Sequence, residues 1–278
     1  MLTTTIDGLW VLQVLSGIEV LAPELALRPH IPSVEPKQAA LDHPMATELR
    51  DQGVIDADGV VDGPVLEWLT VIAKRDVALV INIITPADEG PPRRVLLARF
   101  AQWWVALERS DELVRISGAG TATVQGAASA LIGDQIERLC GSQDPAPLRP
   151  VTVDADKIVA ATHDRGAMRR WLTAHGLDAD QVRLLMLASD PERSAQASMV
   201  AVQSGVEDGS ATRTLVGQTS VTIVDTPEGR LVYEIFHRDN RRWMMVSPGS
   251  PKSIVDAVNQ LLQGLPSSSE WYSYRKVV

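Results

Sequence analysis

The side chains of this chain best suited to acid–base, metal or nucleophilic chemistry are five histidines, one cysteine and one close carboxylate pair. His30, His43, His163, His175 and His237 never fall three or four residues apart, so no helix turn offers two imidazoles to one metal ion. His163-Asp164 is the one histidine beside a carboxylate. A serine–histidine–carboxylate triad is assembled in space and leaves no local signature, so this neighbour reads as a helix-connecting turn. Asp154 and Asp156 read as an acidic helix start, which the helix dipole favours without any catalytic role. Cys140 is the sole cysteine, which excludes an internal disulfide and a multi-thiolate metal site and suits a small buried filler. Phosphate-binding loops, dinucleotide fingerprints, paired-histidine zinc motifs and nucleophile elbows are absent from the sequence. The expectation is a protein that is not an enzyme and carries neither cofactor nor metal.

Bulk properties narrow the classes further. The chain has 278 residues, 45% of them hydrophobic and 22% charged, enough for one large domain or two intimate subdomains with a substantial core. A net charge of −9 argues against a sequence-independent grip on nucleic acid. The apolar run from Leu9 to Leu21 is short and bracketed by Asp7 and Glu19, and the first basic residue is Arg28. That pattern fits neither a secretory leader nor a membrane span, so a cytoplasmic, uninserted protein is expected. Seven tryptophans stand against three tyrosines and two phenylalanines, a bias suited to cores and to interfaces.

The elements that would position any site repeat along the chain. Leu49 to Asp56 matches Leu172 to Asp178, with Gly53 and Gly176 in register. Each glycine is followed by an apolar helical stretch (Val65 to Ile72, Gln181 to Leu187), a charged turn, several strand-like runs, and a small-residue turn leading to a closing helix. The first copy offers a helix over 41–52 and strands over 77–85, 94–101, 103–108 and 113–117, and the closing turn and helix span 118–138. The second offers helices over 153–160 and 165–175 and strands over 197–204, 212–217, 220–225, 230–237 and 243–247. Short connections predict antiparallel neighbours. The sequence thus predicts an α+β fold of two similar subdomains, 1–150 and 151–278, joined by the proline-rich stretch 143–150.

Several strands are apolar on both alternating faces, notably 230–236 and 241–246. Such strands are either roofed by helices on both sides or leave one face for a partner. Taking the second possibility, the contact is expected at Val221, Ile223, Val232, Glu234, Phe236, Trp243 and Met245. The acidic loop 86–92, with Asp88 and Glu89, would be its rim, and Arg93-Arg94 and Arg241-Arg242 could border the patch.

The segments Ile6 to Gln13, Ala22-Pro-Glu-Leu25, Arg28-Pro29 and His43-Pro44 resemble the EspG proteins of mycobacterial type VII (ESX) secretion loci. So do Leu49 to Asp56, Ser220 to Arg230 and Ser247-Pro-Gly249. The ending Glu270 to Arg275 is similar to the paralogue of the second ESX locus. The resemblance implies a cytosolic chaperone, not an enzyme, with two α+β subdomains related by a pseudo-two-fold about a largely antiparallel central sheet flanked by helices. It further implies binding of the apolar tip of a PPE protein within a PE–PPE heterodimer, keeping it soluble for secretion. Two other classes stay compatible with the residues: a hydrolase-like enzyme built around His163 or His237, and a weakly self-associating scaffold.

Overall fold

The computed structural model describes residues 1–32, 34–86, 90–161, 164–205 and 214–276. Its first half runs β1 (Leu2–Thr5), α1 (Ile6–Ser16), α2 (Lys37–Leu41), α3 (Pro44–Asp51), α4 (Gly63–Lys74), β2 (Val77–Ile84), β3 (Arg93–Phe100), β4 (Trp103–Ser110), β5 (Leu113–Thr121) and α5 (Gln125–Cys140). The second half runs β6 (Val151–Asp154), α6 (Ala155–Ala161), α7 (Arg165–Ala174), α8 (Ala179–Ala188), β7 (Ala195–Ser204), β8 (Thr214–Val216), β9 (Ser220–Thr226), β10 (Gly229–Arg238), β11 (Arg241–Pro248) and α9 (Pro251–Gln263).

All the described strands join one sheet in the order β1-β5-β4-β3-β2-β7-β9-β10-β11-β6, with β8 beside β7. The order is a palindrome about the β2–β7 pair, and every ladder is antiparallel. In each half a four-residue edge strand runs straight into a helix and pairs with that half's last strand. The α+β class with a largely antiparallel, helix-flanked sheet is therefore the architecture of this chain.

Local signals explain most boundaries. Thr5 Oγ1 accepts from Gly8 N at 3.1 Å and starts α1, and an Asp178–Gln181 capping box starts α8. Ser250 and Pro251 open α9. The matched glycines do the same work in both copies. Gly53 and Gly176 hold φ of 70° and 77° after α3 and α7, where a side chain would be strained. The following N–H in each copy bonds back into the helix, Val54 to Leu49 O and Leu177 to Leu172 O. Leu49 and Leu172 are both fully buried above those turns.

Side-chain alternation sorts the core. On one face Leu96, Leu107 and Ile116 pack under α1, α3 and α4, and farther along that face Val224, Leu231 and Val246 pack under α6, α7 and α8. On the opposite face Leu79, Ile81, Met199 and Val232 pack under α5 and α9. These two helices cross closely, a Cβ on Gly133 falling 3.0 Å from Val255 Cγ2.

The structure departs from the sequence reading at four places. Residues 41–52 are not one helix, because Pro44 starts a new one and His43 caps it, its Nδ1 accepting from Met45 N at 3.2 Å. Residues 151–154 are an edge strand, since Val151 and Val153 align with Val246 and Met244, and the helix begins only at Ala155. β5 runs on to Thr121, so the closing helix starts at Gln125. The stretch 143–150 lies on the body, with Ala146 N donating to Arg230 O at 2.8 Å and Ala146 and Leu148 buried.

The aromatic C-terminal segment docks. Trp271 is fully buried edge-to-face against Trp104, and Arg99 donates to the carbonyls of Tyr272 and Tyr274. Asp76, also buried, accepts from Lys276 N at 3.0 Å and Ala101 N at 2.9 Å. Burial lowers the Arg99 guanidinium to about 10, and nearby Asp76 opposes that shift.

Candidate functional site

The residues with chemical potential are occupied structurally. His30 Nδ1 lies 2.9 Å from Glu35, which also accepts from Ile31 N and Trp10 Nε1. Those bonds, the Ile31 N–H foremost, hold the Glu35 carboxyl below its usual range. His175 Nδ1 faces Trp171 O at 2.8 Å, and His237 is exposed near the tip of the β10–β11 hairpin. His163 lies outside the described residues. Asp154 accepts from Lys157 N, and Asp156 pairs with Arg242, whose Nε lies 2.8 Å away. Burial pushes the Cys140 thiol up, away from the reactive thiolate. Among the described residues no group of three or more histidines, cysteines or carboxylates is placed to hold a metal, and no helix is long and apolar enough to cross a membrane.

The seven patch residues expected from the sequence share one face of the sheet. Cross-strand partners Val221–Glu234, Ile223–Val232, Phe236–Trp243 and Glu234–Met245 put them there, on the α9 side. Their burial then divides. Val221, Ile223 and Val232 are 3%, 1% and 0% exposed beneath α9 and form a floor, unavailable to a partner in this conformation. Glu234, Phe236, Trp243 and Met245 are half-buried beyond it. Glu234, Phe236 and Met245 line a groove of about 310 Å³ with Gln260 and Leu261 of α9. Burial in that groove, reinforced by Asp256, raises the Glu234 carboxyl. Asp88 and Glu89 fall outside the described residues.

Comparing the two hairpins that the symmetric strand order makes equivalent explains why this region is open. Aligned on their closing pairs, Ser110–Leu113 and Arg238–Arg241, the two hairpins set Ala106, Leu107 and Glu108 against Glu234, Ile235 and Phe236. The first three are 1%, 0% and 4% exposed; the second three are half-exposed. In the first half Arg138, in the last turn of α5, bonds Glu108 at 2.8 Å. α5 has 16 residues and α9 only 13, so the turn that would cover Phe236 is missing.

The opposite face holds a wider opening that the sequence reading did not place. Helices α1–α4 cover β3, β4 and β5, and α6–α8 cover β9, β11 and β6; between these two groups, among the described residues, the middle of the sheet is covered only in part, with Ala78, Val80 and Val202 buried and the residues beyond them less so. Ile84, Gln196, Ser198, Val200, Thr222 and Ile235 lie along this band, exposed or half-exposed. Ser198 and Thr222 hydroxyls meet at 3.1 Å across it. At its outer end Val200, Ser220, Ile235, His237 and Arg242 surround a hollow of about 450 Å³. The signal available in the sequence was the odd-numbered set of 230–236, Leu231, Tyr233 and Ile235, which is apolar; its exposure depends on where helices end.

Three comparisons with known proteins bear on the family and the fold. A profile of the EspG family matches residues 5–260. The ESX-2 secretion-associated protein EspG2 of Mycobacterium tuberculosis is 48% identical over 278 residues, 100% of each chain. The ESX-5 secretion-associated protein EspG5 of Mycobacterium marinum is 26% identical over 307 aligned positions, covering 99% of this chain and 97% of its own. Among solved structures, the fold matches the Mycobacterium tuberculosis type VII secretion system chaperone EspG5 in complex with a PE25-PPE41 dimer. The TM-score there is 0.76 at 24% identity, over 99% of both chains.

Proposed function

We propose that this chain, which belongs to the EspG family, is a cytosolic, non-enzymatic chaperone that holds a PE–PPE heterodimer by the apolar tip of its PPE subunit. The full-length likeness to the ESX-2 relative assigns it to the paralogue of the second ESX locus. Support for the partner comes from the family and from what the solved relative binds. Support for the mechanism comes from the surface itself.

The observation that carries the reading is the exposed and half-exposed band in the middle of the sheet, from Ile84 to Ile235. A specific complex buries about 800 Å² on each partner, an area that suits a face several strands wide better than a narrow cleft. Val200, Ile84 and Ile235 supply apolar contact there, and Ser198, Thr222 and Gln196 keep the free surface wettable. A tip that would aggregate in water is covered on this band and can be released from it without unfolding the chaperone. A second reading keeps the contact on the α9 side, at Glu234, Phe236, Trp243 and Met245, favoured by the missing helical turn above them.

Co-expression with PE–PPE pairs and copurification separates the two. Val200→Glu and Ile235→Glu are expected to abolish client recovery with native-like melting, because both side chains are half-exposed. Phe236→Glu is expected to spare it. The reverse result moves the contact to the groove, and unimpaired recovery in all three removes both surfaces.

A further inference from the structure

A third opening lies on the outer side of the first half, away from both surfaces above. It is a pocket of about 810 Å³ between α4 and the ends of β4 and β5, walled by Trp68, Trp103, Trp104 and Phe100. Leu66 and Trp103 at its mouth are 39% and 51% exposed. Gly118, Gly120 and Thr121 of β5 form one side. β1 pairs only with residues 113–116 of β5, so among the described residues 117–121 have no strand beyond them. That edge reads Ser-Gly-Ala-Gly-Thr and carries neither the lysine nor the proline that normally protects an unpaired strand.

We propose that this edge receives an extended segment of a partner chain as one more strand in line with β1, with an arginine or lysine side chain inserted among the indoles toward Glu67. The charge on the pocket sets the sign: Glu67 is the one ionisable residue lining it. Ring faces attract cations, and the aliphatic stem of a long basic residue suits Leu66 and Val71. The molecule already makes such a contact on the same wall, where the Arg275 guanidinium stands 4.6 Å from the Phe100 ring centre. Gly118 lets the Trp68 indole close over the strand as one wall of the pocket, since a Cβ on that glycine would fall 3.2 Å from Trp68 Nε1. The net charge of −9 favours a basic partner over distance.

The test titrates the full chain, by calorimetry, with a blocked pentapeptide of threonine, valine, arginine, valine and threonine. Parallel titrations replace the arginine with norleucine or glutamate, or methylate alternate backbone nitrogens. The arginine peptide is expected to bind, the norleucine peptide about tenfold more weakly, and the glutamate and methylated peptides not at all. Glu67→Gln should weaken the arginine peptide about tenfold and leave the norleucine peptide unchanged. Trp103→Ala should lose both while keeping native melting and PE–PPE recovery. Equal binding of arginine and norleucine peptides overturns the cation, and equal binding of the methylated peptide overturns the added strand. A concentration-dependent dimer that the peptide dissociates makes a second copy the occupant and overturns the proposal, as does no binding at all. Loss of PE–PPE recovery with Trp103→Ala would merge this pocket with the client surface and overturn it as a separate site.

Discussion

The two hairpins that the symmetric strand order makes equivalent have opposite fates. The β4–β5 tip is tied to the body: Arg109 Nη1 donates to the carbonyls of Leu25 and Ala26, and Glu108 is clasped by Arg138. The β10–β11 tip turns through Asp239 and Asn240 at positive φ and carries exposed ion pairs, Arg238 with Asp239 and Arg242 with Asp156. One half buries its strand ends, and the other leaves them half-exposed. The difference is made by a helix three residues shorter and by the gap between two helix groups, not by the strands themselves.

Substitutions can break this contrast in graded steps. The largest effect is expected at Leu107, fully buried, where Leu107→Asp should cost upward of about 4 kcal/mol in urea unfolding. Its half-exposed equivalent Ile235→Asp should cost less than about 1 kcal/mol. Equal costs would show that the two strands are equally roofed in solution. Next, Arg138→Ala strips Glu108 of its closest cation and should lower stability by about 1–3 kcal/mol. A double variant with Glu108→Leu should recover much of that loss, and the absence of recovery would mean that the clasp does not hold the tip.

The smallest effect is on pH dependence. Folding raises the Glu234 carboxyl, chiefly through burial and then through Asp256. A carboxyl raised in the folded state favours folding in its protonated form, so its contribution is gained as pH falls through the folded pKa and lost as pH rises. Wild type should therefore gain stability relative to Glu234→Gln on acidification into the carboxylate range. A difference that is flat with pH would place Glu234 in solvent rather than in the groove.

Much of the fold was legible because it rests on short-range rules. The β-branched run at 77–84 and the antiparallel order of 93–121 follow from composition and connection length. The paired left-handed glycines at 53 and 176 have a local steric cause. The strand at 151–154 was hidden because four residues carry too little periodicity, and only β11 supplies its pairing. Within each strand the common side of Val221 and Ile223, of Val232, Glu234 and Phe236, and of Trp243 and Met245 was readable from alternation; that the three sets meet on one face was decided by the strand register. Their division into floor and rim was not legible, nor was the half-exposed band on the other side, because alternation gives a side chain's face and says nothing of what lies above it.

By itself the sequence determined the α+β class, the strands with apolar side chains on both faces, the missing catalytic spacings and the family resemblance. All of these are properties of local periodicity and residue type. Only the tertiary structure decided which face stays open. Coverage depends on where α9 stops and where the helices of each half come to rest, and those positions are set by packing between residues far apart in the chain.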